Sequence, residues 1–431
     1  MRNRAFLFGP LLSQPVPLNW LNAQHAPASA APAISAPSQS PRVVPSPTPP
    51  TQTELLEWEE AARHVNAWTD LTSRALEPNV FLEPGFALAS VQHVPAARRP
   101  SFLLVWKNSP APEEHRLIGL FALHPPKTGR GGILHLWSNP MMAAGAPLID
   151  RDDGAAAIEA LQGFVSQRFP GVETIIFPQS NLSGAVARLL GTHCMTHGLA
   201  ARIFDRRSRA IVTNRNDPAE FARNFISPKK RKELRRQRRR LEDLGRIAYT
   251  SAQGVDAIKP AMEAFLALEA SGWKGGQSSA LLSDPSTATF ARTMARNFAA
   301  RGACRIDALE LDGRPIAMGV VLSAHDTAFY WKTAYDEAFA RYSPGVLFSL
   351  EMTTRMIENG AHEVINSCAI PDHPMIDHIW RERMEIGDLA IATFNASPRR
   401  LAFALNRESA RRKIRAVAKR AYYRLTQKHP R

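Results

Sequence analysis

From position 55 the chain switches between two periodicities. Apolar residues recur every three to four positions over 55–76 and 84–93, which predicts two helices. The runs 101–107 (SFLLVWK) and 116–123 (RLIGLFAL) are short, apolar and rich in branched and aromatic side chains, which predicts strands. A helix at 152–168, a strand at 173–177 (ETIIF), a helix at 182–193 and a strand near 201–204 follow. The second half repeats the order. Helices are expected at 255–270 and 286–301. Strands at 305–311 and 315–323 (PIAMGVVLS) flank the hairpin signal Asp312-Gly313, and 328–334 (AFYWKTA) returns the chain. A helix over 344–359 is closed by Gly360 at its C′ position. A strand at 362–368, a helix at 374–383 and a strand at 387–394 complete the pattern. Two copies of one order predict an α/β fold of two tandem units, with mixed central sheets flanked by helices.

Composition refines this division. Residues 22–53 are rich in Ala, Pro and Ser and too poor in large apolar side chains to offset their ordering entropy, so 1–53 is expected to be a disordered leader. The units are then 54–205 and 206–398, with a basic helical tail over 399–431. The first residues, MRNRAFLFGPLLSQPVPLNWL, have a basic start and an apolar patch. Pro10, Pro15 and Pro17 interrupt the patch and no small-residue cleavage site follows, so retention in the cytoplasm is expected. No run of 18 apolar residues suggests a membrane span. Three cysteines, Cys194, Cys304 and Cys368, are an odd number without metal-ligand spacing, and read as buried thiols in a reducing compartment.

The net charge of +15 is concentrated. Residues 229–246 carry ten basic and three acidic side chains, and 399–431 carry twelve and one; the rest of the chain is slightly acidic. Two segments can therefore contact anions, whether a polyanion or the anionic inner face of a membrane. No base-reading motif accompanies them, which argues against sequence-specific DNA binding.

The most informative chemistry lies in WKTAYDEAFARYSPGVLFSL, 331–350. Here a strand ends, a polar loop follows, and Ser343-Pro344-Gly345 opens a helix. Ser343 is expected to cap it and Pro344 suits its first turn. The N–H groups of Gly345, Val346 and Leu347, the helix dipole and the Arg341 cation form a candidate pyrophosphate site. A well-capped helix without a ligand is the alternative. The equivalent helix of the first copy begins Asp150-Arg151-Asp152-Asp153, and carboxylates there repel phosphate.

The segments ALEASGWKGGQSSAL (267–281), LDGRPIAMGVVL (311–322), FYWKTAYDEAFARYSPGVL (329–347) and PDHPMIDHIWRERM (371–384) resemble the acetyltransferase domain of CelD/BcsL-type proteins, associated with cellulose and exopolysaccharide production. That domain belongs to the GNAT superfamily and is similar to the Fem-type aminoacyltransferases. The resemblance covers most of 206–398, and NVFLEPGFALAS (79–90) extends it into the first unit. It implies acyl transfer from acetyl-CoA or another acyl-CoA, with the carbonyl held by backbone N–H groups of 329–334 and the pyrophosphate by 341–347. The usual Q/R-x-x-G-x-G/A pattern is replaced by RYSPG. Glu269 and Asp336 are the candidate bases and Tyr335 the candidate acid. Lys332 joins Arg341, Ser343, Gly345, Val346 and Leu347 at the coenzyme. Trp273, Lys274, Asp372 and His373 line the acceptor side. Asp372, His373, Asp377 and His378 fit no zinc spacing, and no metal is expected. An aminoacyl-tRNA-dependent Fem-like enzyme and a non-catalytic scaffold of a polysaccharide-synthesis assembly are the rival readings.

Overall fold

The computed structural model describes residues 51–425 apart from 94–98, 109–114, 127–131, 215–216, 219–220, 222, 224–225, 278 and 372. The disorder expected over 1–53 lies outside the described residues up to position 50. From there the expectation fails, because Thr51–Leu56 is strand β1 and pairs antiparallel with β2, Ser101–Lys107.

The first half continues with α1 (Trp58–Ala61), α2 (Val65–Ser73), α3 (Pro84–His93), β2, β3 (Arg116–His124), β4 (Gly132–Leu136), β5 (Leu148–Ile149), α4 (Gly154–Arg168), β6 (Val172–Asn181), α5 (Ala185–Thr196) and β7 (Ala201–Thr213). The second half has α6 (Pro228–Glu242), β8 (Ile247–Gln253), α7 (Val255–Ser271), α8 (Pro285–Ala299), β9 (Cys304–Leu311), β10 (Arg314–Ala324), β11 (Thr327–Tyr335), α9 (Pro344–Asn359), β12 (Val364–Asn366), β13 (Glu382–Ala392) and α10 (Pro398–Leu425).

The strands form one mixed sheet in the order β1-β2-β3-β4-β6-β13-β7-β12-β11-β10-β9-β8, with β5 added beside β3. Read from either end, the order is the same for both copies. Each has an antiparallel meander, then a parallel pair: β4 with β6, and β11 with β12. The last strand of each copy crosses over. β13 of the second half pairs with β6 of the first, and β7 of the first half pairs with β12 of the second. β7 and β13 then pair with each other along nine residues of register. The expected boundary between 205 and 206 therefore falls inside β7, and two expected sheets are one.

The expected helix over 374–383 is absent. Only a single turn forms at Ile376–His378, and Glu382 already belongs to β13. Ile376, Ile379 and Trp380 are buried. Pairing with β7 claims the residues that follow, reinforced by Glu382, whose carboxylate accepts the Thr213 N–H at 2.6 Å. Tertiary pairing overrides local propensity here.

The two halves share a core. Phe81 and Phe86 from the first half meet Phe329, Phe290 and Trp331 from the second in edge-to-face contacts of 5.1–6.2 Å. A separate cluster around Phe348, Tyr330 and Trp380 fixes α9 on the opposite side of the second half's sheet. α10 docks its first turns on β4 and β6 through Ala404 and the buried Glu408, which accepts from Arg411 and Arg412 at 2.6 Å. Ile414 and Val417 are exposed. Residues 426–431 of the expected tail lie outside the described residues. Among the described residues no helix is long and apolar enough to cross a membrane.

Candidate active site

The site begins with a strand that runs out of partners. β11 pairs in parallel with β12 only through Thr327, Ala328 and Phe329. Beyond Phe329 that edge of β11 faces a cleft of about 720 Å³, whose other wall includes Ser367, Cys368, Pro344, Gly345 and Met375. This volume is within the usual range for small-molecule sites. On its other edge β11 pairs with β10, and the register skips one residue: Val320 faces Lys332 and Val321 faces Tyr330. Trp331 is the extra residue of a β-bulge. The skip has a chemical consequence. Without it, Lys332 would follow Tyr330 to the α9 side of the sheet. With it, Lys332 turns to the same side as Trp331, its ammonium 5.6 Å from that ring centre, and faces α7.

There it meets Glu269, whose side chain is fully buried. One carboxylate oxygen accepts from Lys274 at 2.8 Å and lies 4.0 Å from the Lys332 ammonium. The other accepts the Leu281 N–H at 2.8 Å. Lys274 also donates to the Thr333 carbonyl at 3.1 Å. Lys332 is pushed down to about 8, chiefly by burial and further by the Lys274 charge, while Glu269 acts against both. The cleft thus contains an amine that titrates near neutrality.

This geometry encloses both expected bases. Glu269 is enclosed behind the two lysines and holds both of them. Asp336 also faces away. One oxygen accepts from the Ala338 N–H at 3.0 Å, capping the turn Glu337–Tyr342, and the other accepts from Arg314 at 2.6 Å. Tyr335, Trp273, Lys274 and His373 line the cleft. His373 Nδ1 accepts from the Met375 and Ile376 N–H groups at 3.3 and 3.4 Å, which leaves the proton on Nε2. Burial lowers its pKa, so the ring is neutral. Asp372 lies outside the described residues.

The expected anion site is partly spent. Ser343 has φ of 51° and makes no side-chain cap. Capping side chains need an extended backbone, and here the left-handed turn prevents it. The Ser343 carbonyl takes the Val346 and Leu347 N–H groups at 3.0 and 3.1 Å. Among the described residues Gly345 keeps the one free N–H of this turn. Arg341 lies over the Tyr342 ring at 4.7 Å, outside the cleft. Further cations come instead from α6 and from the residue before β13. Lys230 and Arg381 border a pocket that shares Val346, Pro374 and Met375 with the cleft wall or its rim. A neighbouring groove between α6 and α9 is lined by Arg223, Arg231, Arg235 and Arg238.

In the first half the carboxylates at the corresponding helix start are held by cations. Asp153 binds Lys107 at 2.7 Å and Arg116 at 2.5 Å, and Asp150 pairs with Arg74.

Sequence reasoning missed Ser367, Ile370 and Met375 on the cleft wall and read Cys368 only as a buried thiol. Ile370 and Met375 are apolar, and no neighbouring base marked Ser367 or Cys368 in the sequence. Cys368 is a thiol and not a thiolate, because burial pushes it up to about 12.

Comparison with known families agrees with the position of the cleft. Residues 228–368, from the start of α6 to the cleft wall, match the family model of the acetyltransferase (GNAT) domain. The second half is similar to a GNAT domain. No curated protein matches the chain. Among solved structures, the C-terminal DUF2156 domain of a protein described as a lysylphosphatidylglycerol synthetase from Agrobacterium fabrum is 14% identical, with 80% of this chain and 94% of that one covered and a TM-score of 0.47. FemX is 9% identical, covering 80% and 98%, at 0.46. A tandem GNAT protein from the clavulanic acid pathway is 13% identical, covering 80% and 99%, at 0.40. All three scores are below 0.5, a likeness of outline and not of detail.

In the GNAT-like half, Glu269→Gln distinguishes a base from a positioning residue. If Glu269 only holds the lysines, the variant keeps turnover, and the pH at which activity rises moves downward, because a charge that raises the Lys332 pKa has been removed. A pH–rate profile checks this. Loss of turnover at every pH would return the base to Glu269.

Proposed function

We propose that the protein is an acyltransferase that draws its acyl group from acyl-CoA, with acetyl-CoA the first donor to test. The observation that carries this reading is the splay of β11 from β12 beside a bulge, which opens an unpaired strand edge onto the cleft. Such an edge can hold a thioester and donate N–H groups to its carbonyl as charge develops. Lys332 then serves as the base that deprotonates the acceptor, and the neutral His373 and Tyr335 supply hydrogen bonds. Coenzyme phosphates find the Gly345 N–H and the Lys230 and Arg381 side chains along the rim. The CelD/BcsL resemblance directs the acceptor towards a saccharide, nucleotide sugar or small metabolite with an amine or hydroxyl.

One observation favours a second reading, transfer from aminoacyl-tRNA. The arginine-lined groove between α6 and α9 meets, at Ile226, the Lys230 and Arg381 pocket that adjoins the cleft, and a nucleic-acid backbone would suit it. The same basic helix and the exposed part of α10 are our proposed contacts for an anionic membrane surface.

A thermal-shift and binding series tests these readings together on the full chain. Acetyl-CoA at a hundredfold excess over its Kd stabilises a protein by about 2.7 kcal/mol, which should raise Tm by several degrees. Stabilisation by tRNA and not by any acyl-CoA would replace the first reading with the second. Vesicles of anionic lipid in the same series test the membrane contact. If no acyl donor binds, the acyl-transfer reading falls.

A further inference from the structure

On the first half, away from the residues of the cleft, α4 and α5 bring together Glu159, His193 and His197. The two histidines are four residues apart, on one face of α5 and at its C-cap. Their rings lie 4.6 Å apart. One oxygen of Glu159 is 2.5 Å from His197 Nε2 and 3.6 Å from His193 Nδ1. One ligand atom from each residue lies within 4.8 Å of the other two. Around a tetrahedral zinc with bonds of about 2.0–2.1 Å, ligand atoms sit about 3.3 Å apart, so small rotations of the partly exposed His197 and Glu159 bring the set to that spacing.

His193 adds an independent observation. The residue is 7% exposed, yet neither ring nitrogen has a hydrogen bond among the described residues. Nε2 is buried without a partner, and the 3.6 Å from Nδ1 to Glu159 is beyond hydrogen-bond length. Buried polar groups are normally satisfied, and one that is not calls for an explanation. Nδ1, the ring nitrogen nearer Glu159 and without a hydrogen bond, faces a carboxylate already shared with a second imidazole and is the atom offered to an ion, while the buried Nε2 keeps the ring proton. Phe394, from the segment after β13, covers both rings at 5.7 and 5.2 Å, giving the cluster an apolar cover.

We propose that Glu159, His193 and His197 bind a divalent transition-metal ion, zinc by preference for this borderline nitrogen and oxygen donor set, with water completing the coordination. The ion staples α4 to α5. It takes no part in the acyl-transfer site and does not depend on that reading.

The test uses untagged full-length protein freed of metal with a chelator. Isothermal titration with Zn2+ should give one site per chain, and Co2+ should give the visible absorption of a tetrahedral centre. Glu159→Gln and His197→Ala alter partly exposed positions and should keep the fold, checked by circular dichroism without metal. Each should weaken Zn2+ binding at least tenfold, and each should abolish the rise in Tm that Zn2+ gives the parent chain. His93→Ala, outside the cluster, should bind like the parent. Absence of a stoichiometric site, or unchanged affinity in both cluster variants, overturns the proposal.

Discussion

Replacing Lys332 by Met should lower kcat/KM by a factor of about 10²–10⁴, the usual contribution of a positioned proton-transfer group. The parent activity should rise with pH through about 8 and then level, because the ammonium loses its proton there and only the free amine accepts one. The variant should lack that limb. Lys332→Arg should fail as well, since a guanidinium keeps its proton throughout the range. Competitive acylation of the lysines, followed by mass spectrometry across pH, measures the same titration without an acceptor. Stability gives a further readout. The folded pKa lies below the ordinary value of 10.5, so between about 8 and 10.5 the unfolded chain binds more protons, and stability rises with pH across that window. The Met variant should lose this slope. A parent titration at the ordinary lysine value, or a Met variant with unaltered turnover, would remove Lys332 from the chemistry.

Gly345→Val should abolish donor binding at modest structural cost. A Cβ at this position would come within 3.1 Å of the Met375 sulfur and 3.2 Å of the Tyr335 ring, both on the cleft wall. The larger side chain must push into the space between them and over the free Gly345 N–H. Overpacking of this kind costs about 1–3 kcal/mol, a loss that a domain of this size tolerates. Acetyl-CoA affinity measured by titration should fall at least tenfold while the melting transition stays cooperative. Undiminished affinity would place the donor elsewhere.

Much of this site was legible in the sequence. The FYWKTAY strand, the SPG turn and the GWKG segment all reach the cleft, because strand ends and glycine-rich turns are written locally. The burial of Glu269 was legible but not read. Its spacing with Phe265 and Leu266 on α7 already placed it on the buried face, but a carboxylate beside a glycine loop suggests exposure. The bulge at Trp331 could not be read, since it arises from the match between two strands and not from either one. β1 and β8 were missed for another reason. They form the two edges of the sheet, and their half-exposed residues lack the continuous apolar runs that mark the inner strands. The pairing of β7 with β13 joins residues nearly two hundred positions apart, beyond the reach of local pattern.

That exchange of strands governs the order in which the chain can mature. β6 leaves the ribosome with one edge open and stays so until β13, some two hundred residues later, is made. The first half cannot complete its sheet on its own, although domains usually fold in sequence as they emerge. Synthesis of almost the whole chain must therefore precede the closing step, with a strand edge exposed for tens of seconds at ordinary elongation rates of about 5–20 residues per second. The interval is a demand on chaperones that two independent copies in series would not make, and it binds the two halves into a single unit of inheritance: neither can be lost, shuffled or expressed alone without depriving the other of a central strand.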